Sequence, residues 1–258
     1  MLVDVVRLRR IEARLRSLQR QYYTSSRDRV PEIFAAYAQT LADARGISHS
    51  IFARSSAVFP WLRKRLPRGN EVKLHLGCGD HILDGWCNVD VSPPSDLCAN
   101  LAQAIPVRKE TVDFIHSEDF LEHIELEDAK RFLGECFRVL KPGGVMRLLT
   151  PDLRAIVERV YLRRDALHLA WCHTFLKTES PCEALNMHMR MEDHAHRFVY
   201  DYETLSRILR GIGFRVRRVA YNKSRDPLLR YLDLRNFGLN LFIEATKPPS
   251  EPESLIDN

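Results

Sequence analysis

The chain has 258 residues, 45% of them hydrophobic, and a formal net charge of +5. That is apolar material for one doubly wound domain with an appendage, and no run approaches the roughly 18 apolar residues a membrane span needs. The first residues, Met1-Leu2-Val3-Asp4-Val5-Val6-Arg7, lack the apolar core of a signal peptide, and Cys78, Cys87, Cys98, Cys136, Cys172 and Cys182 form no C-x-x-C pair. Both observations point to a soluble cytoplasmic protein with reduced thiols.

The charge is uneven: residues 1–70 hold 14 Lys or Arg against 5 Asp or Glu, a balance of +9 that leaves −4 for the remainder. A basic appendage on a mildly acidic body suits an acidic partner, nucleic acid or an anionic membrane, and it equally suits a solvated helical face. Leu8, Ile11, Leu15, Leu18 and Tyr22 recur at spacings of three and four among Arg7, Arg9, Arg10, Arg14, Arg16 and Arg20. This predicts a basic amphipathic helix too short for a coiled coil. A second helix is expected from Pro31 through Ile33, Phe34, Tyr37 and Leu41 to Gly46, and a third over Ile51–Phe59 ahead of Pro60. The stripe on the first helix must be covered by the chain's own domain, by a second copy in a homodimer or by lipid. No Trp or Phe lies between Arg7 and Arg20, which weakens the lipid option, whereas Phe34, Tyr37, Leu41, Ile51, Phe52 and Trp61 offer an apolar face. Residues 1–69 are therefore expected to form a helical lobe, joined by the basic link Arg63-Lys64-Arg65-Leu66-Pro67-Arg68-Gly69 to a core domain over residues 70–248.

The core domain opens on Val72-Lys73-Leu74-His75-Leu76-Gly77-Cys78-Gly79-Asp80. Val72, Leu74 and Leu76 mark a buried strand, and Gly77 and Gly79 let the backbone turn sharply beneath a ligand where a side chain would collide. Cys87-Asn88-Val89-Asp90-Val91 follows as a second short strand. Its Asp90 lies where an acceptor would meet ribose hydroxyls, unless it is an ordinary strand-end carboxylate. A nicotinamide-type G-x-G-x-x-G would need glycine at position 82, which is Ile82. Pro93 and Pro94 then break the chain, Leu97–Leu101 is a third short strand with Asn100 near its end, and Asp113-Phe114-Ile115-His116-Ser117 is a fourth.

Leu126–Leu140 has helical spacing, with Phe132, Leu133, Cys136 and Leu140 inward, and Lys141-Pro142-Gly143-Gly144 reads as its stop signal ahead of a fifth strand over Val145–Leu149. Residues 152–197 read as a helical insertion, with periodic stretches at Leu153–Leu162 and Ala166–Phe175 and a third helix opening at Pro181. Inserted elements at the carboxyl edge of an open sheet lie over the ligand crevice, so this is the expected substrate cap. Tyr202–Leu209 is a helix ended by Gly211 and Gly213, and Phe214–Val219 and Leu239–Ala245 are the closing strands. Residues 249–258 form a proline- and acid-bearing tail expected to be disordered. This alternation of strand and helix forces a parallel sheet.

The order of Leu76-Gly77-Cys78-Gly79, Asn88-Val89-Asp90, Asp113-Phe114-Ile115, Leu121-Glu122-His123 and Arg138-Val139-Leu140-Lys141-Pro142-Gly143-Gly144 resembles the class I S-adenosylmethionine-dependent methyltransferases, closest to small methyltransferase-type-11-like proteins of unassigned substrate. The resemblance covers roughly residues 70–248. It implies an α/β, Rossmann-like, seven-stranded and mostly parallel sheet with an antiparallel last strand, beside the N-terminal lobe and the helical cap. It also implies S-adenosylmethionine as cofactor, held by Leu76, Gly77, Cys78, Gly79 and Asp90, with Asn100 beside the adenine and Glu118 at the pocket rim. Two departures stand out. His75 occupies a place where many members carry an acidic residue, and only 13 positions separate Gly77 from Asp90, so the first helix is expected to be very short or absent.

Methyl transfer from a sulfonium gains mostly from aligning nucleophile, methyl and sulfur, which leaves the catalytic residues less legible than the cofactor site. On a helix, Asp119 and His123 would share a face as an orienting carboxylate and a general base, or Leu121-Glu122-His123 is a packing motif. The segment His196-Arg197-Phe198-Val199-Tyr200-Asp201 offers His196 to catalysis and Tyr200 and Asp201 to the substrate, unless Asp201 is a helix N-cap with Phe198 and Val199 as core. His173, His188, His194 and His196 with Cys172 and Cys182 fit no zinc spacing, so no metal is expected. Base methylation is disfavoured because Ser117-Glu118-Asp119-Phe120 stands in place of an Asn-Pro-Pro-aromatic motif. The sequence reading is therefore methyl transfer to an oxygen or nitrogen of a small-molecule or glycan-like acceptor. The alternatives are a non-catalytic scaffold of the same fold and, kept alive by the basic amino-terminal segment, a nucleic-acid methyltransferase.

Overall fold

The alternation at Val72–Leu76 folds as a strand: β1 (Lys73–Leu76) buries Leu74 and Leu76 completely. The computed structural model describes residues 14, 17, 71–91, 94–190, 196–234 and 238–249. Arg14 and Ser17 are helical. The rest of the expected lobe and the tail at 250–258 lie outside the described residues. Backbone contacts divide the chain into two units, residues 1–107 and 108–258.

In the first unit, β2 (Cys87–Asp90) and β3 (Leu97–Cys98) run parallel to β1, with Leu74 opposite Cys87, His75 opposite Asn88 and Val89 opposite Leu97. Turns alone join β1 to β2, closed by His81 N–H on Cys78 O and Trp86 N–H on Leu83 O. The missing first helix is thus explained by the short spacing: ten residues cannot hold both a ligand turn and a helix that crosses back.

In the second unit, β4 (Val112–Glu118) is buried along most of its length and pairs in parallel with β5 (Leu140–Pro151). Between them α1 (Leu126–Val139) buries Ala129, Phe132, Leu133 and Cys136 on one face. The stop at Lys141-Pro142-Gly143-Gly144 is not a loop outside the sheet, as the sequence suggests. The pairing steps from Val112–Leu140 to Phe114–Val145, so these four residues are absorbed as an irregularity of β5. A Cβ on Gly144 would lie 2.9 Å from the Lys141 carbonyl, which is why a glycine is needed there. Lys247 closes the helix end, donating to the carbonyls of Phe137 and Leu140 at 3.0 Å each.

The insertion is helical as predicted: α2 (Leu153–Ile156) continues as a π-helical turn over Val157–Leu162, followed by α3 (Ala166–Phe175) and α4 (Pro181–Arg190). These elements bury Ile156, Val160, Cys172 and Ala184 together with Leu239, so the insertion shares an apolar core with the residue just ahead of the last strand. The helix α5 (Tyr202–Ile212) starts on an Asp201 cap and ends at Gly213, whose φ of 117° suits glycine. Strands β6 (Arg215–Arg218) and β7 (Asn240–Thr246) complete the order β4-β5-β7-β6, with β7 antiparallel to both neighbours. The seven strands make the mixed, mostly parallel sheet that the resemblance implies. Among the described residues no helix is long and apolar enough to cross a membrane, and all six cysteines are free.

A fully buried arginine anchors the last connection. Arg147 on β5 donates to both oxygens of Asp233 at 2.6 and 2.5 Å, to Glu244 at 3.0 Å, and to the carbonyls of Lys223 and Ala220 at 2.9 and 3.1 Å. Every guanidinium edge is used, which is what lets a charge sit in the core.

Candidate functional site

The glycine turn is built by backbone bonding to β2. Gly77 and Cys78 donate to Val89 O at 2.8 and 3.3 Å, and Gly79 donates to Asp90 Oδ2 at 2.8 Å, while Val91 N–H reaches Asp90 Oδ1 at 2.6 Å. Gly77 and Gly79 have φ of 70° and 51°, the left-handed region that a side chain resists. A Cβ built on Gly79 meets nothing within 4 Å, so the turn faces open space. Leu76 and Cys78 are buried, and burial, reinforced by the charge of Asp90, pushes the Cys78 thiol far up, so it stays protonated. Asn100 sits just past β3, its side-chain oxygen accepting from Ala102 N–H at 3.1 Å.

Beneath the turn lies a buried polar pairing. His75 Nδ1 donates to Asn88 Oδ1 at 3.1 Å, and Asn88 donates from its backbone and its amide to Asp96 Oδ2 at 2.9 and 2.8 Å. The histidine that departs from the common acidic residue is thus held across the β1–β2 register by Asn88.

In the second unit, Glu118 at the end of β4 accepts the backbone N–H of Leu234 on both oxygens at 3.1 Å, and His116 Nε2 lies 3.6 Å from it. Asp119 has φ 47° and donates its N–H to Leu149 O, so it lies in a left-handed turn and not on a helix. The shared helical face expected for Asp119 and His123 is therefore not formed: the only helical turn there is a 3₁₀ turn over Leu121–His123. Glu122 is buried, accepts from Thr150 Oγ1 at 3.0 Å, and places Oε1 3.9 Å from His123 Nε2.

The carbonyl of Glu122 accepts from Arg197 and Phe198 N–H at 2.7 and 3.2 Å, which carries His196 to His123 with ring centroids 4.9 Å apart. His196 Nδ1 donates to His188 O at 2.6 Å, and burial lowers its pKa, so the ring is neutral. Tyr200 is fully buried, its hydroxyl has no hydrogen-bond partner among the described residues, and burial followed by the Glu122 charge pushes the phenol up. Asp201 is spent on the cap: it accepts from Thr204 N–H at 2.8 Å, and these bonds hold its carboxyl below the usual range.

A family model described as a methyltransferase domain matches residues 54–219, well over half of the chain. The chain belongs to the methyltransferase domain family. A relative from Mycolicibacterium smegmatis, named a probable S-adenosylmethionine-dependent methyltransferase, is 43% identical over 53 residues, which is 20% of this chain and 20% of the relative. The chain therefore matches only a fifth of that relative's length. A SAM-dependent methyltransferase from Archaeoglobus fulgidus aligns over 76% of this chain and 96% of its own at 15% identity and a TM-score of 0.44. Another from Mesorhizobium loti aligns over 74% and 98% at 16% identity and a TM-score of 0.43. Both scores are too low to bear on function.

Within this methyltransferase domain, His123 and His196 gather at Glu122, whose charge also acts on Tyr200, while Asp119 and Asp201 are engaged elsewhere. The sequence reading singled out Leu121-Glu122-His123 but not the pairing of Glu122 with residues 196–198. The signal for it would have been the rare juxtaposition of a buried acid with a distant His-Arg-Phe segment, which no spacing rule reports.

Proposed function

We propose that the chain binds S-adenosylmethionine at the glycine turn and transfers its methyl group to an oxygen or nitrogen of a small-molecule or glycan-like acceptor. The observation that carries this reading is the Gly77-Cys78-Gly79 turn, open above Gly79 and closed on Asp90 at 2.8 Å, in a chain of the methyltransferase domain family. Leu76, Gly77, Cys78 and Gly79 would pass beneath the cofactor's amino-acid and ribose part, Asp90 would accept from the ribose hydroxyls, and Asn100 would sit beside the adenine. Glu118 is proposed for the rim.

S-adenosylmethionine supplies the electrophilic methyl and leaves as a neutral thioether. The acceptor lone pair forms the new bond to the methyl carbon, the carbon–sulfur bond breaks with its pair left on sulfur, and the acceptor proton needs a base. His123, partly exposed and beside the buried Glu122, suits that base better than Asp119. Residues 152–197, which include His196, are proposed as the acceptor-binding element. Release of S-adenosylhomocysteine over pooled metabolites and glycans tests the reading: turnover above a cofactor-only control is expected, and cofactor binding without any turnover would favour the scaffold alternative.

A further inference from the structure

Glu122, His123 and His196 each present one ligand atom, and these atoms lie within 4.8 Å of one another. Spacing along the chain hides this group, because His196 arrives through the backbone bonds of Arg197 and Phe198 to Glu122 O. We propose that Glu122, His123 and His196 form a binding site for a divalent transition-metal ion of the zinc type, with an open coordination position.

Several features of the surroundings fit that assignment. His196 donates from Nδ1 to the carbonyl of His188, which fixes the tautomer with its lone pair on Nε2, the arrangement that orients ligating histidines. Thr150 Oγ1 holds Glu122 Oε2 in the same way and leaves Oε1 facing His123 Nε2 at 3.9 Å. Two imidazoles and one carboxylate are a ligand set of catalytic zinc, whose bonds of about 2.0–2.2 Å would require the side chains to close by about 1 Å. His123 and His196, both only half-buried, have the freedom for that closure. Independently, Tyr200, whose phenol feels the Glu122 charge, keeps a fully buried hydroxyl with no hydrogen-bond partner among the described residues, a polar group suited to a metal-bound water or ligand. The remaining coordination position would open toward solvent on the side of His123, whose side chain is 29% exposed.

With the ion bound, His123 ligates it instead of serving as the base, so any role of the ion in polarising the methyl acceptor rests on the function proposed above and replaces that assignment, whereas binding of the ion does not depend on it. The test is titration of tag-free, chelator-stripped full-length protein with Zn²⁺ by calorimetry and with Co²⁺ by visible absorption, both without S-adenosylmethionine. One ion per chain is expected. His196→Ala and His123→Ala should each weaken it at least tenfold, while Cys182→Ser, at an exposed cysteine, should not. His123→Gln, at a partly exposed side chain, serves if circular dichroism shows either alanine variant to be misfolded. Absence of stoichiometric binding, full retention in the histidine variants, or a cobalt–thiolate charge-transfer band would overturn the assignment. S-adenosylhomocysteine release is scored separately, so failure of the metal site and failure of methyl transfer remain distinguishable.

Discussion

Replacing Arg147 with Met removes the fully buried cation that pairs with both Asp233 and Glu244. Asp233 would keep the backbone N–H of Asn222, and Glu244 would keep Arg217, but the fork to both Asp233 oxygens and the bonds to the carbonyls of Lys223 and Ala220 would be lost. Breaking a buried pair by removing one partner costs about 3–5 kcal/mol, because the remaining charge stays desolvated. At about 2–4 °C per kcal/mol for a domain of this size, the melting temperature should fall by roughly 6–20 °C. Arg147→Lys keeps the charge but not the planar fork and should fall in between. The same change should loosen the segment that delivers Leu234 N–H to Glu118, read as faster amide exchange at Leu234. A melting shift equivalent to less than about 1 kcal/mol, with unchanged exchange at Leu234, would refute the claim that this cation organises the 220–234 connection.

Asp201→Ala removes the acceptor for Thr204 N–H and should cost about 0.5–2 kcal/mol in urea titration, while Asp201→Asn should recover most of it; equal losses would show that the cap is not the side chain's role. Gly213→Ala places a Cβ 3.1 Å from Phe137 Cζ at φ 117° and should lower the melting temperature by an amount equivalent to more than about 1 kcal/mol; a neutral result would contradict the strain argument. His188 is buried and, chiefly through burial, pushed down to about 4 from 6.5, so the unfolded chain binds the proton first as pH falls. Stability should therefore drop between about pH 6.5 and 4, by on the order of 3 kcal/mol in total, and His188→Asn should flatten that slope in urea titrations at several pH values.

Much of the architecture was readable because periodicity and punctuation agreed. The strand at Val72–Leu76, the helix over Leu126–Val139, the three helical stretches of the insertion and the glycine stop at Gly213 all follow from local pattern. Lys141-Pro142-Gly143-Gly144 does end the helix, but the fifth strand starts earlier than Val145, because turn residues can be absorbed into a strand when the partner strand shifts register. The cofactor-side residues are consecutive or nearly so, which is why a sequence can display them. The cluster around Glu122 depends on backbone bonds between residues about 75 positions apart in the chain. No local rule predicts such bonds, and Asp119, which local spacing favoured, is removed from the group by a left-handed backbone.

The central claim is that the glycine turn and Asp90 hold S-adenosylmethionine, and calorimetric titration of the full-length chain with S-adenosylmethionine and S-adenosylhomocysteine tests it most directly. One-site binding is predicted for both ligands. Asp90→Ala should weaken it by about 1–3 kcal/mol, the cost of losing a charge-assisted hydrogen bond, with the fold retained by circular dichroism. No binding at millimolar ligand, or equal affinity in the wild type and the Asp90→Ala variant, would contradict it.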